Sequence, residues 1–244
     1  AAYFLRYSGS LQVVREVTSS AKNARSITGQ LATDSDGGLS VPTVKNGTDW
    51  DAQEASLAAA SQTFVAKYPG ELGNGIAVSI CPASESAFAA WAYASEFDTS
   101  PGTSSYASAA GASNDEMHIV VIDSGGEFSG TRGTILERYP FVSVGSNAKN
   151  TDGTTNYAIN AINDRSDFVW MAGFDSDFKT AGAGTAIDGA ADYASTNSAS
   201  THHFTSGANS GSLGTSEYLT GFDLFEDKDI VEVDFLIAPG MTSR

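Results

Sequence analysis

The sequence predicts an α+β fold of mainly antiparallel, sandwich-like β-sheet with short flanking helices. Three observations predict it. Asn74-Gly75 stands directly before the alternating run Ile76, Val78, Ile80, a strong local signal for a turn into a strand. MHIVVID and TILERYPFVSV are two strand-like runs joined by SGGEFSGTRG, which reads as a long hairpin. Segments with helical spacing lie among the strands without a βαβ rhythm, so antiparallel pairing is expected.

Taken in order, Tyr3, Phe4 and Tyr7 fall at helical spacing, Gly9 ends that helix, and Leu11 to Val17 alternate as a strand. From Thr18 to Lys45 the chain is polar and glycine-bearing, with one weak apolar patch at Ile27 to Leu31, and reads as a connection. Thr48 precedes a helix expected from Asp49 to about Ala66, with Asp51 as a weak capping-box partner. Trp50, Leu57 and Phe64 recur every seven residues along it, although Phe64, Ala66 and Tyr68 fit an extended segment equally well. At Tyr68-Pro69-Gly70 the proline presets the first corner of a turn and the glycine supplies a positive φ.

After the strand at Ile76 to Ile80, Pro82 ends the ladder and Ser84 caps a helix expected to reach Phe97, with Phe88, Trp91 and Ala92 on one face. Thr99 to Asn114 is a Ser/Gly/Ala loop, and the hairpin follows it. Asp152-Gly153 then turns the chain into a short helix from Thr155 to about Arg165, and FVWMA is a buried strand. Gly173 to Gly214 is a low-complexity tract too long for an ordinary connection, expected to be a surface excursion or partly disordered. Glu217 to Phe225 reads as a helix, and Ile230 to Ala238 as a final strand with Val231, Val233, Phe235 and Ile237 on one face.

The chain has 244 residues, enough to bury a sizeable core. Its 29 acidic and 13 basic residues give a formal charge of −16, which repels phosphate backbones and anionic lipid and so disfavours nucleic-acid and membrane partners. Cys81 is the single cysteine, so an internal disulfide is excluded. No apolar run approaches the roughly 20 residues of a membrane-spanning helix.

Asp123-Ser124-Gly125 after the run IVVI looks like an aspartic-protease loop. That chemistry needs two carboxylates about 3 Å apart sharing a proton. No second such loop exists in the sequence, so a symmetric dimer would have to supply it; the residues otherwise read as a turn leaving a strand. His202-His203 would point to opposite faces if they lay on a strand, have no suitably spaced acidic or cysteine partner, and are expected as exposed loop residues. His118 opens a strand and reads as structural. Asp34-Ser35-Asp36-Gly37 and Asp175-Ser176-Asp177 carry fragments of a calcium-loop spacing without the closing glutamate, which favours turns. Cys81 reads as a buried structural thiol. No catalytic, cofactor-binding or metal-ligating residue is therefore assigned, and the expectation is a protein that is not an enzyme and needs no cofactor.

At KYPGELGN the sequence resembles the contractile tail sheath proteins of bacteriophages, most similar to the T-even and cyanophage type. Four pieces occur in that family's order: FLRYSGSLQVVREV, FVAKYPGELGNGIAVSI, FSGTRGTILERYPFVSVGSNAKNTDGTTNY and FTSGANSGSLGTSEYLTGFDLFEDKDIVEVDFLIAPG. The resemblance implies a partial sheath core at residues 1–17, an inserted outer domain at 49–229, and a re-entry strand of the core at 230–244. Residues 18–48 would be a linker, too short for the additional outer domain that T-even sheaths carry there. A chain that opens and closes on such core-like pieces is expected to be a fragment lacking N- and C-terminal parts, and monomeric on its own. The implied function is structural. Sheath subunits assemble in the host cytoplasm around the tail tube of the virion and contract to drive the tube through the host envelope, with other sheath subunits and the tube as partners. The alternative is a surface-exposed receptor- or glycan-binding module of a virion or injection device.

Overall fold

The computed structural model describes residues 13–18, 20–27, 35–36, 39–40, 44–59, 62–174, 182–195 and 197–227. The chain groups into two compact units, one of residues 1–20 with 210–244 and one of residues 21–209.

In the larger unit the first elements are strands β1 (Asn23–Ile27), β2 (Ser35–Asp36) and β3 (Leu39–Ser40), then helix α1 (Gly47–Ala59) and strand β4 (Gln62–Pro69). A 3-10 turn at Glu71–Gly75 leads into β5 (Ile76–Pro82), followed by α2 (Glu85–Ala90) and α3 (Ser105–Ala110). The hairpin of β6 (Glu116–Asp123) and β7 (Thr134–Ser143) comes next, then α4 (Ala158–Arg165), β8 (Val169–Met171) and β9 (Ser200–His203). Two main sheets result, of order β1-β4-β8 and β7-β6-β5-β9, with β2-β3 as a small hairpin. The pairings between these strands are antiparallel, in keeping with the mainly antiparallel sheet that the sequence predicts.

The two main sheets share one core. Phe64, Ala66, Val169 and Met171 from the first meet Ile76, Val78, Ile80, Ile119 and Val121 from the second, with Ile162 of α4 and Phe204 in the same cluster. The outer face of the first sheet, at Val65 and Trp170, is covered by Trp50 and Leu57 of α1. Trp50 and Trp170 stack with their ring centres 5.2 Å apart. The outer face of the second sheet, at Ala77, Cys81, Val120 and Ile122, is covered by Ala87 and Trp91. Each sheet is thus apolar on both faces, and β5 is buried at all seven positions.

The chain passes from the first sheet to the second between β4 and β5 and returns beside β1 after β9, and these two crossings are tied together. Between β4 and β5 the backbone turns at Gly70, whose φ of 106° and ψ of −177° suit glycine alone. After β9, residues 204–209 cross back, with Thr205 and Arg25 exchanging backbone bonds of 2.9 and 3.0 Å. Asn74 holds this return strand against the first crossing: Gly207 N–H donates to its Oδ1 at 2.8 Å, and its Nδ2 donates to the Gly207 carbonyl at 3.1 Å.

Several local expectations are corrected. Asn23–Ile27, within the stretch read as a polar connection, is a strand in which Ala24 is buried, as is Ala21 just before it. Its small and polar residues hide it, since Arg25 and Ser26 are buried through pairing with β4. Helix α1 starts two residues early because Asn46 is its cap, accepting Asp49 N–H at 2.8 Å, while Asp49 accepts Lys45 N–H at 3.1 Å. Of the two readings of Phe64 to Tyr68 the extended one holds: the stretch lies in β4, where Phe64, Val65 and Ala66 are buried in succession between β1 and β8.

Ser84 does cap α2, accepting Ala87 N–H at 3.3 Å, but the helix stops at Ala90 rather than Phe97. Trp91 leaves it to lie on the sheet, where its Nε1 donates to Ser79 Oγ at 2.8 Å. The loop expected at Thr99 to Asn114 contains α3, and the tract at Gly173 to Gly214 is not wholly a surface excursion: it supplies β9 and the buried side chains Ile187, Tyr193 and Phe204.

In the smaller unit, α5 spans Thr215–Asp223, close to the expected helix, with Gly214 N–H donating to Glu217 Oε2 at 2.9 Å. Residues 13–18, part of the expected first strand, carry no regular secondary structure; Thr18 N–H donates to Ser210 Oγ at 2.9 Å. The expected helix at Tyr3 to Tyr7 and the final strand at Ile230 to Ala238 lie outside the described residues.

Candidate functional site

Asp123 ends β6 with its side chain fully buried, and its own loop consumes it. Oδ1 accepts the N–H groups of Gly126 and Glu127 at 2.7 and 2.9 Å. Oδ2 accepts the N–H groups of Phe128 and Ser129 at 3.0 and 2.7 Å, and the Ser129 hydroxyl at 2.8 Å. Burial alone would push this carboxyl up in pKa, but the donors from Ser129, Phe128 and Gly126 outweigh it and hold the group below the usual carboxylate range. The ionised group is the nucleus of the hairpin loop. Ser124 Oγ donates to the Gly75 carbonyl at 3.0 Å, tying this loop to the crossing before β5.

His202 and His203 do point to opposite sides of β9, yet the expectation that both are exposed is corrected: His202 is buried and His203 exposed. Alternation on a paired strand turns one of any two neighbours inward. Cys81 is fully buried in β5, and burial pushes its thiol up to about 12. Asp36 lies in β2; Asp34, Gly37 and Asp175-Ser176-Asp177 lie outside the described residues. Among the described residues, no group of three or more His, Cys, Asp or Glu side chains is placed to hold a metal ion.

His118 is fully buried and organises an aromatic cluster. Its ring stacks on Phe97 at 4.1 Å between centres and meets the edge of Phe141 at 4.5 Å. Nδ1 accepts the Phe141 N–H at 3.1 Å, so the ring is neutral and its proton sits on Nε2, which donates to the Thr99 carbonyl at 2.9 Å. Burial lowers its pKa, with the Thr99 carbonyl opposing that shift.

The residue that His118 holds is unusual. Phe141 has φ 53°, a conformation that costs a bulky side chain of order 1–3 kcal/mol. It sits in a β-bulge: Met117 pairs with Val142 and Ile119 with Tyr139, so Pro140 and Phe141 of β7 oppose His118 alone of β6. The strained backbone is fixed on both sides, because Asn156 Nδ2 donates to the Phe141 carbonyl at 2.9 Å.

Beside the bulge opens a cleft of about 290 Å³, walled by Ser105, Glu116, Phe141, Lys149, Thr151 and Asn156 among others. The turn forming one wall is braced from within, Asn150 N–H donating to the Thr154 carbonyl at 2.9 Å and Thr154 N–H to Asp152 Oδ1 at 2.9 Å. On the opposite wall Asp115 anchors the start of α3, taking the Ser104 N–H and hydroxyl at 2.8 Å each and the Ser143 hydroxyl at 2.5 Å. Glu116 is half-buried; burial raises its pKa, the Gly102 N–H opposes the shift, and Asp115 adds to it. Sequence reading passed these residues over, although Pro140 within the run TILERYPFVSV signals an edge strand with a bulge.

No protein-family model matches the chain. Over 135 residues, 55 % of its length, the chain is 34 % identical to the tail sheath protein of Salmonella phage ViI. It is similar to a phage tail sheath protein. The matched stretch spans 17 % of that protein, so the chain corresponds to well under two thirds of its relative. No helix among the described residues is long and apolar enough to cross a membrane.

Proposed function

We propose that this chain is a portion of a structural subunit of a bacteriophage contractile tail sheath, of the T-even and cyanophage type. The observation that carries the proposal is the 34 % identity to the tail sheath protein of Salmonella phage ViI. In the virion, the parent protein polymerises around the tail tube, with other sheath subunits and the tube as partners, and contracts to drive the tube through the host envelope. Assembly takes place in the host cytoplasm, without nucleic acid or membrane as partners. The protein is not an enzyme and needs no cofactor.

The residue geometry supports this reading in three ways. The most enzyme-like side chain, Asp123, spends its five hydrogen bonds on its own loop, which is a shaping role. The larger unit, 21–209, is inserted between two segments that group together, 1–20 and 210–244, which suits an outer domain carried on a core. Val13, Leu219 and Leu224 of the smaller unit are exposed apolar side chains, suited to contact with further sheath polypeptide. The test is expression of the full-length parent protein and electron microscopy of the product. Hollow striated cylinders are expected; a parent that stays monomeric under conditions that polymerise the Salmonella phage ViI protein would contradict the proposal.

A further inference from the structure

We propose that the cleft beside the Phe141 bulge binds a neutral saccharide, one sugar ring at a time. Three linked features meet there. A β-bulge re-aims the edge strand, the non-glycine residue at its centre is held at φ 53°, and the resulting cleft is walled by four separate segments. Bulges and fixed backbone strain both concentrate at binding sites, because a strained conformation survives only where its surroundings over-determine it. Here the His118 and Asn156 side chains supply that constraint.

The chemistry of the walls selects the ligand class. Ser105 and Thr151 present exposed hydroxyls, each able to donate and accept. Asn150 uses its Nδ2 on Thr154 Oγ1 at 3.0 Å, which leaves its Oδ1 as an acceptor. Glu116 has one oxygen on Gly102 N–H and one in reserve. Lys149 offsets the charge of Glu116, so the walls are close to neutral on a chain whose net charge is −16. Pro140 and Phe141 add an apolar part to the lining.

A ligand that satisfies paired hydroxyl, amide and carboxylate groups while laying C–H bonds on an apolar surface is a polyol ring. Glu116 and Lys149 would each attract one sign of charge and repel the other, so neither sign is favoured by both walls, and a neutral ring can hydrogen-bond to both. The volume of about 290 Å³ lies just below the usual range of ligand sites, about 300–1,000 Å³, and fits a single ring better than a chain of them.

The experiment uses this 244-residue chain. Saturation-transfer NMR is run with glucose, galactose, mannose and N-acetylglucosamine, with sialic acid and glucosamine as charged controls. A glycan array of bacterial surface saccharides is probed in parallel. The expected result is saturable binding of at least one neutral sugar, with amide shifts at Ser105, Asn150 and Thr151. Binding should weaken about tenfold or more in Thr151→Val and in Glu116→Gln. Both substitutions keep side-chain shape, and circular dichroism checks the fold; the amide shifts in the unmodified chain test the location if either variant misfolds. Absence of saturable binding, binding confined to the charged sugars, or neutral-sugar binding that leaves those amides unmoved would each overturn the proposal.

Discussion

Gly73→Ala should destabilise the larger unit, although on local grounds it ought to help. Gly73 lies in the 3-10 turn between β4 and β5, and a Cβ there would stand 2.8 Å from the Ala66 Cβ and 2.9 Å from the Ala24 Cβ. Carbon atoms at rest sit about 3.5–4.0 Å apart. Both neighbours are single methyl groups on buried strands, with no rotamer to yield, so relief requires β1 or β4 to move. Overpacking of this kind costs about 1–3 kcal/mol. Where space allows, the same substitution stabilises by about 0.4–1 kcal/mol through the unfolded chain, so even the sign is informative. With a urea slope of about 2 kcal/mol/M, a 2 kcal/mol cost lowers the unfolding midpoint by about 1 M. Adding Ala24→Gly removes one of the two contacts, and the double variant should be less destabilised than the sum of the singles. An unchanged midpoint for Gly73→Ala, or strict additivity, would refute the close-packed corner.

Asp123→Asn puts an NH₂ group among the N–H donors of the hairpin loop and should cost about 1–3 kcal/mol in urea unfolding. A peptidase activity of this chain abolished by the same change would overturn the non-enzymatic reading. His118 has a folded pKa below its ordinary value of 6.5, so its contribution to stability is complete above about 6.5 and is lost as pH falls through the folded value. An NMR titration in which it protonates at or above the ordinary histidine value would contradict the neutral, doubly bonded ring. Cys81, buried with its thiol pushed up to about 12, should resist a disulfide reagent at mildly alkaline pH until the chain is unfolded; full labelling of the native chain would contradict its burial. Light scattering should give a monomer for the isolated chain, and stable rings or tubes would contradict that expectation.

The elements legible in the sequence are those whose side chains carry a period of their own. The alternation of Ile76, Val78 and Ile80 and the two arms of the hairpin define most of the second sheet. Strand β1 is built of Asn23, Ala24, Arg25 and Ser26, and only pairing with β4 makes it a strand. Strand β9 reads as low complexity because its neighbour β5 supplies the apolar side chains of that pair. The candidate cleft was less legible still. Its walls come from α3, β6, β7 and the turn at Lys149 to Thr155, which no sequence spacing links. Pro140 was the visible trace of the bulge, but the positive φ of Phe141 depends on bonds from His118 and Asn156, 23 and 15 residues away.

We propose that this chain shapes a phage tail rather than catalysing a reaction. That role is tested most directly by immunogold electron microscopy of the source particles with antibody raised against the chain. Gold distributed along the whole length of the tail, in extended and contracted particles alike, is the predicted result. Gold confined to the capsid or to fibre tips, or particles that carry none, would contradict it.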